Sequence, residues 1–373
     1  MLDLVNFSSL SYNFLIYTIP FLFVLTAVVF FHELGHFVIA RLNRVDVETF
    51  SVGFGREIFS TYDKKGTKWK ICWIPLGGYV KFVDDADPTS KADKNKLSEN
   101  GFHTKSILQR SSIVSAGPIA NFILALVIFT FLYTVNGKTT ILPVIESIEE
   151  SSPAMNGGLK VDDVIISIDE VPINKFGDIP RVIQEKKTNE LQFGILRKGS
   201  YINVNLTPEI RYLNPEKKSG EIFYIGIGGG TLEKNILKEK LSVIQAIGYG
   251  INDTYQIIHL SLSYIYKMVI GTESTENLGG PIRIAQISGD VAKNGIMPLL
   301  QLTALLSVSI GLINLFPIPM LDGGHLMFYL IEAIRGKPLS ERSFELFHKI
   351  GLVFIIFLMF FALWNDLNFL NIF

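Results

Sequence analysis

The chain has 373 residues, 48% of them hydrophobic, and a formal net charge of −1. That balance offers no basic surface for nucleic acid, and with 28 Phe it points to lipid rather than water as the solvent for much of the chain. Cys72 is the single cysteine, which excludes an internal disulfide and leaves a thiol that reads as structural.

A helix crossing the bilayer core needs about 20 apolar residues, and four stretches qualify. The first covers 14–40 and carries no charge until Glu33. It lacks the basic n-region and the A-x-A-like site of a cleaved signal, so it is read as a retained span. The loop 41–110 holds thirteen Lys and Arg. Within it, 47–82 reads as strand-like runs broken by Gly53, Gly55, Gly77 and Gly78, which suggests hairpins against the membrane, and the charged piece 83–101 reads as a solvated linker. The second span, 111–135, lies in an uncharged run between Arg110 and Lys138.

From 142 to 211 short apolar runs alternate with turn residues around one helical segment, "FGDIPRVIQEKK". The series "SPAMNGGLKVDDVIISIDEVPI" resembles a bacterial PDZ domain, a β-sandwich that receives a peptide as an added strand. "YIGIGGG" lacks the GK[ST] ending of a phosphate loop. In the region 212–295, residues 241–266 carry Asn252, Asp253, Gln256 and His259, which favours an amphipathic helix on the membrane surface over a fifth crossing. The third span, 296–331, contains "INLFPIPMLDGGHL"; the loop 332–349 is basic; the fourth span, 350–365, is short and leans on snorkelling by Lys349. Because Lys and Arg collect in 41–110 and 332–349, those loops are expected on the cytoplasmic side, with both chain ends and the β module on the other.

The first span contains "HELGH". Positions i and i+4 share a helix face, so His32 and His36 can offer two imidazoles to one metal while Glu33 stands ready to deprotonate a water. Zinc suits neutral nitrogen and carboxylate donors and keeps one position open in catalytic sites. Polar groups inside a span are costly unless they face a partner or a cavity. Asp322, near the inner end of the third span, is the candidate third ligand, although a helix-ending Asp-Gly-Gly turn is the alternative reading. Pro317 and Pro319 interrupt helical hydrogen bonding just before it and open backbone at membrane depth.

"HELGH", "GPIANF" and "NLFPIPMLDGGH" together resemble the three membrane signatures of the site-2 intramembrane metalloproteases, and their order around an outer PDZ-like module is similar to the bacterial sigma E protease group of that family. The resemblance implies a multi-pass α-helical membrane protein with four transmembrane helices, a cytoplasmic-side β region and one extracytoplasmic PDZ domain where the group carries two. It implies zinc held by His32, His36 and Asp322, Glu33 as base, and Asn314 near the substrate. Gly53, Gly55, Gly77, Gly78, Pro317 and Pro319 are further candidates for substrate binding. The implied partner is a membrane protein with one transmembrane segment, pre-cleaved on its outer side: an anti-sigma factor or a remnant signal peptide, met in the bacterial inner membrane. A silent membrane scaffold and a zinc transporter are the competing readings; the first has no need of Glu33, and the second needs a permeation path.

Overall fold

The computed structural model describes residues 2–85, 98–186, 190–214, 219–275 and 278–369. They form two compact units, Met1–Leu132 with Gln245–Phe373, and Tyr133–Ile244.

The first unit opens with helix α1, Leu2–Leu42, followed by strands β1, Val47–Tyr62, and β2, Lys68–Phe82, and by helix α2, Ile107–Asn136. Among the described residues, four helical stretches are long and apolar enough to cross a membrane: Leu15–Leu42, Ile107–Asn136, Ile296–Asn314 and Arg342–Phe369. The number agrees with the sequence reading, but two bounds change. The expected third span, 296–331, is broken at 315–321, where Pro317 and Pro319 interrupt the ladder. Its continuation after the break is a separate helix, Asp322–Arg335. The fourth, expected at 350–365, begins at Glu341 and runs to Phe369, long enough to cross without leaning on Lys349.

Strands β1 and β2 form a hairpin that folds on itself. Residues at the start of β1 are flanked by β2 on both sides, Phe50 pairing with Val80 and with Trp69. Such a fold needs sharp bends, and Gly53 and Gly55 supply them with φ of +87° and +84°, a region that favours glycine. The bend buries Phe50, which stacks on Trp69 at 4.3 Å and meets Phe30 and Phe37 of α1 edge-on. An aromatic cluster thus ties the hairpin to the first span.

The linker reading of 83–101 needs correction where the chain is described; 86–97 lies outside the described residues. Asp84 and Asp85 are fully buried. Asp84 accepts the backbone N–H groups of Phe102 and His103, while Asp85 accepts that of Phe82 and pairs with the His103 ring at 2.9 Å. These carboxylates close the loop between hairpin and α2 instead of solvating it.

The second unit takes in more chain than the expected 142–211. Strands β3, Lys138–Ile141, and β4, Ser147–Ile148, lead into helix α3, Pro153–Asn156. A four-stranded antiparallel sheet follows, from β5, Val164–Ile168, β6, Val171–Pro172, β7, Leu191–Arg197, and β8, Ser200–Leu206, in the order β6-β5-β7-β8, with α4, Asp178–Lys186, as its helix. Then come β9, Glu209–Asn214, β10, Ser219–Tyr224, β11, Ile227–Gly228, and β12, Ile236–Glu239. Strand β11 pairs with β4 and β12 with β3, and Ile225 lies in the same apolar core as Ile165, Phe193 and Ile195. The strands after residue 211 therefore complete this unit, which leaves only the later part of 212–295 helical. "YIGIGGG" is one of its edges, consistent with setting the phosphate-loop reading aside.

The remaining helices belong to the first unit: α5, Val243–Val269, α6, Pro281–Ala292, α7, Ile296–Asn314, α8, Asp322–Arg335, and α9, Glu341–Phe369. Helix α5 is absent from the four candidate crossings. The start of α6 is held by Asp366 of α9, a buried carboxylate that accepts the N–H groups of Gly280, Ile282 and Arg283 at 2.7, 3.0 and 3.2 Å. This satisfies donors that a helix N-terminus otherwise leaves open.

In the second unit, Glu146 organises the segment 231–235. Its carboxylate accepts from the Thr231 hydroxyl and N–H, the Leu232 N–H and the Asn235 amide. Those donors, the Thr231 hydroxyl foremost, push the Glu146 carboxyl down from 4.5 to about 2. With the folded value below the unfolded one, the stabilisation is complete above about pH 4.5 and is lost as pH falls toward 2. Pepsin should therefore cut 231–235 increasingly over that window, whereas Glu146→Gln should leave the segment open to pepsin throughout; identical pH profiles would contradict the assignment.

Candidate metal centre

The site begins with an apolar helix that carries two histidines one turn apart. His32 and His36 project from the same face of α1, and that face packs on α2 unusually closely. Gly35 makes the approach feasible, because a Cβ there would overlap the Ala116 carbonyl and lie 2.7 Å from Ala120 Cβ.

Helix α2 meets the two rings with a single stripe, Ile113, Gly117 and Asn121, at i, i+4 and i+8. The Ile113 carbonyl accepts from His36 Nδ1 at 2.9 Å. A carbonyl can only accept, so Nδ1 carries the proton and Nε2 presents its lone pair. Gly117 leaves the volume into which both imidazoles project: a Cβ there would collide with the His36 ring and lie 2.8 Å from His32 Nε2. The Asn121 amide lies 3.3 Å from His32 Nδ1.

Asp322 arrives from the other side as the first residue of α8. The broken segment folds tightly beneath it, since a Cβ on Gly323 or Gly324 would overlap the carbonyls of 315, 316 and 318. The register of α8 is tied to α2 by an ion pair of 2.7 Å between Arg110 and Glu332, with Arg110 also over the Tyr329 ring. Thus α2, which supports the imidazoles carried by α1, also sets the position of the carboxylate.

The three donor atoms form a near-equilateral triangle. His32 Nε2 and His36 Nε2 are 3.2 Å apart, and Asp322 Oδ2 is 3.1 and 3.5 Å from them. Tetrahedral bonds of about 2.0–2.1 Å place neighbouring ligand atoms about 3.3–3.4 Å apart. The triangle fits zinc without rearrangement. Asp322 Oδ2 is buried and makes no hydrogen bond, the condition of an acceptor reserved for a cation.

Glu33 stands beside the triangle. It belongs with His32, His36 and Asp322 to the lining of a cavity of about 280 Å³. Of the other sequence candidates, Asn314 and Gly78 line this cavity. Gly78 lies against Glu33, with a hypothetical Cβ 3.1 Å from Glu33 Cγ. Gly53, Gly55, Gly77, Pro317 and Pro319 are not part of the lining. Gly77 accommodates the Phe54 ring, and Pro319 packs against Gly351 of α9.

Sequence reasoning did not single out Gly117, Asn121, His325 or His348, of which the two histidines also line the cavity. The first two had a readable signal: "GPIANF" repeats the four-residue spacing of the histidines it faces. His325 and His348 come from different helices and have no common spacing. A second group of ligand-type atoms, from Asp84, Asp85 and His103, lies within 4.8 Å of one another. Its carboxylate oxygens already accept from the backbone and from His103, so they are occupied structurally.

A two-histidine, one-carboxylate triangle beside a free glutamate, set among helices fit for a bilayer, defines the class as a membrane metallohydrolase. Comparison with known proteins gives the family: the profile of "Peptidase family M50" matches residues 20–358, and the chain belongs to that family of zinc metalloproteases, the site-2 protease type. It is 41% identical to "Putative zinc metalloprotease R01501" of Rhizobium meliloti over 371 residues, covering 97% of this chain and 99% of that one. It is 39% identical to "Putative zinc metalloprotease RC0203" of Rickettsia conorii over 352 residues, with 94% and 98% covered. "Metalloprotease MmpA" of Caulobacter vibrioides is 34% identical over 394 residues, with 97% and 98% covered. Among solved structures, the PDZ domain of an SdrC-like protein from Listeria monocytogenes matches 23% of this chain and 84% of its own at 17% identity and a TM-score of 0.19, too low to carry an argument.

Gly117→Ala tests the volume reserved for the rings. Alanine ordinarily stabilises a helix interior by about 0.5–1 kcal/mol over glycine. Here it should lower zinc retained after dialysis at least about tenfold, a loss typical of disturbed ligand support, while the protein still folds. Metal analysis reads the result, and undiminished zinc would refute the account.

Proposed function

We propose that this metalloprotease hydrolyses peptide bonds within transmembrane segments of other membrane proteins, with His32, His36 and Asp322 holding zinc and Glu33 carrying the proton. The supporting observation is the donor triangle with Glu33 beside it, walled by helices suited to lipid. When bound, zinc supplies Lewis-acid activation of water and of the scissile carbonyl. The Glu33 carboxylate takes the proton from the attacking water and returns it to the amine as the C–N bond breaks.

A helical substrate hides its carbonyls in hydrogen bonds and must be drawn out before attack. The segment 78–82 pairs with β1 on one side, and Gly78, Tyr79 and Val80 line the cavity, so its other edge is suited to receive an extended substrate. Asn314 and Gly78 are the nearest candidates for substrate contact. Gly53, Gly55 and Gly77 shape the hairpin, and Pro317 and Pro319 shape the break before Asp322.

The distribution of Lys and Arg supports an active site toward the cytoplasmic face of a bacterial inner membrane, with chain ends and the unit Tyr133–Ile244 outside. That unit, with its SPA…GL…D series, four-stranded sheet and helix α4, is proposed as the PDZ-like filter. Its clients are membrane proteins with one span, already cut on the outer side: anti-sigma factors or remnant signal peptides.

With purified protein in detergent, Glu33→Gln should slow cleavage of a transmembrane peptide by about 10²–10⁴-fold, the contribution typical of a general base, with zinc content unchanged. Cleavage by Glu33→Gln at the wild-type rate would sink the reading, and no cleavage by the wild type itself would favour a scaffold.

A further inference from the structure

We propose that Asn121 is a positioning residue for the metal: its amide oxygen accepts the proton of His32 Nδ1 and thereby fixes the tautomer in which His32 Nε2 is a ligand. The inference rests on the zinc reading above. Two observations meet at this residue. Asn121 is fully buried and its amide is 3.3 Å from His32 Nδ1, with Nδ2 the nearer atom. Its Oδ1 is buried and has no hydrogen-bond partner.

These facts are related through the tautomer. A neutral imidazole has one N–H and one lone pair, so ligation through Nε2 requires the proton on Nδ1, and that proton needs an acceptor. For His36 the acceptor is the Ile113 carbonyl at 2.9 Å. For His32 the Asn121 amide is in that place, one stripe position beyond Gly117 on the same helix. With Nδ2 toward the ring, the amide offers a donor to a nitrogen that must itself donate. A half-turn about the last side-chain bond exchanges the two atoms, bringing the orphaned Oδ1 to Nδ1–H. The same change therefore gives both unsatisfied groups a partner.

The residue is held firmly enough for this task. Ser307 of α7 donates to the Asn121 backbone carbonyl at 2.8 Å. Gly311 lets α7 close over it, with a hypothetical Cβ only 3.1 Å from Asn121 Cβ. Ile113, Gly117 and Asn121 thus act together: one accepts from His36, one clears space for both rings, and one accepts from His32.

The test is zinc affinity of the full-length protein in detergent, measured by competition with a chromophoric chelator. Asn121→Leu, similar in size and without an acceptor, should weaken zinc binding on the order of 10–100-fold, as for other lost outer partners of a ligating histidine. Asn121→Asp, which offers acceptors only, should bind zinc as tightly as wild type or more so. Unchanged affinity in Asn121→Leu would overturn the proposal. If that variant fails to fold, Asn121→Asp decides alone: retained affinity supports the acceptor role, and a tenfold or greater loss overturns it. His36→Ala separates the two levels of argument, because equal zinc binding by wild type and His36→Ala would remove the metal reading itself, and Asn121's role with it.

Discussion

The constraint on which the structure depends is that polar atoms among apolar helices must find partners inside the protein, since lipid supplies none. His32, Glu33 and His36 impose that demand on the first span. The partners come largely from α2, whose stripe of Ile113, Gly117 and Asn121 meets both rings. Close approach is the precondition, and small residues provide it: Gly35 between α1 and α2, and Gly311 between α7 and α2. The three helices thus approach closely enough for backbone groups and short side chains to meet the rings, where bulky apolar residues would hold them apart.

The carboxylate side of the site obeys the same constraint by a different device. An unbroken third span would carry Asp322 along a helix and leave its position to the pitch. The break at 315–321 instead starts a new helix at Asp322, with Gly323 and Gly324 allowing the chain to fold beneath it. Irregular backbone at this depth is tolerable where protein covers it or a wet cavity receives it. Pro319 is covered by Gly351 of α9, while Met320 and Leu321 line the cavity. The Arg110–Glu332 pair then prevents α8 from drifting against α2. A pair with both partners largely buried is a fragile source of stability but a strong source of register, because either charge left alone would be costly.

Much of this was legible in the sequence where a local pattern carried the physics. The i, i+4 spacing of His32 and His36 specifies a shared face, and two prolines before Asp322 specify a break. Apolar length picked out the four helical stretches that are long enough to cross a bilayer. What remained hidden depended on contacts between distant segments. Asp84 and Asp85 sit in a run whose composition reads as solvent-exposed, yet they are buried because Phe82, Phe102 and His103 need acceptors. The second unit extends past residue 211 because strands 227–228 and 236–239 return to pair with its first strands, a closure that no local period encodes. His325 and His348 reach the same cavity from separate helices, and composition could not bring them together.

In the proposed function a substrate must offer its carbonyls to the triangle, and an extended chain does so where a helix hides them in its own hydrogen bonds. The hairpin supplies a wall of the right kind: Gly78, having no side chain, brings the strand backbone to Glu33, and the strand continues as Tyr79 and Val80 along the cavity. The absence of a side chain at Gly78 leaves room for Glu33 and, in the proposed function, keeps the edge that would receive an extended chain close to the group that would move the proton.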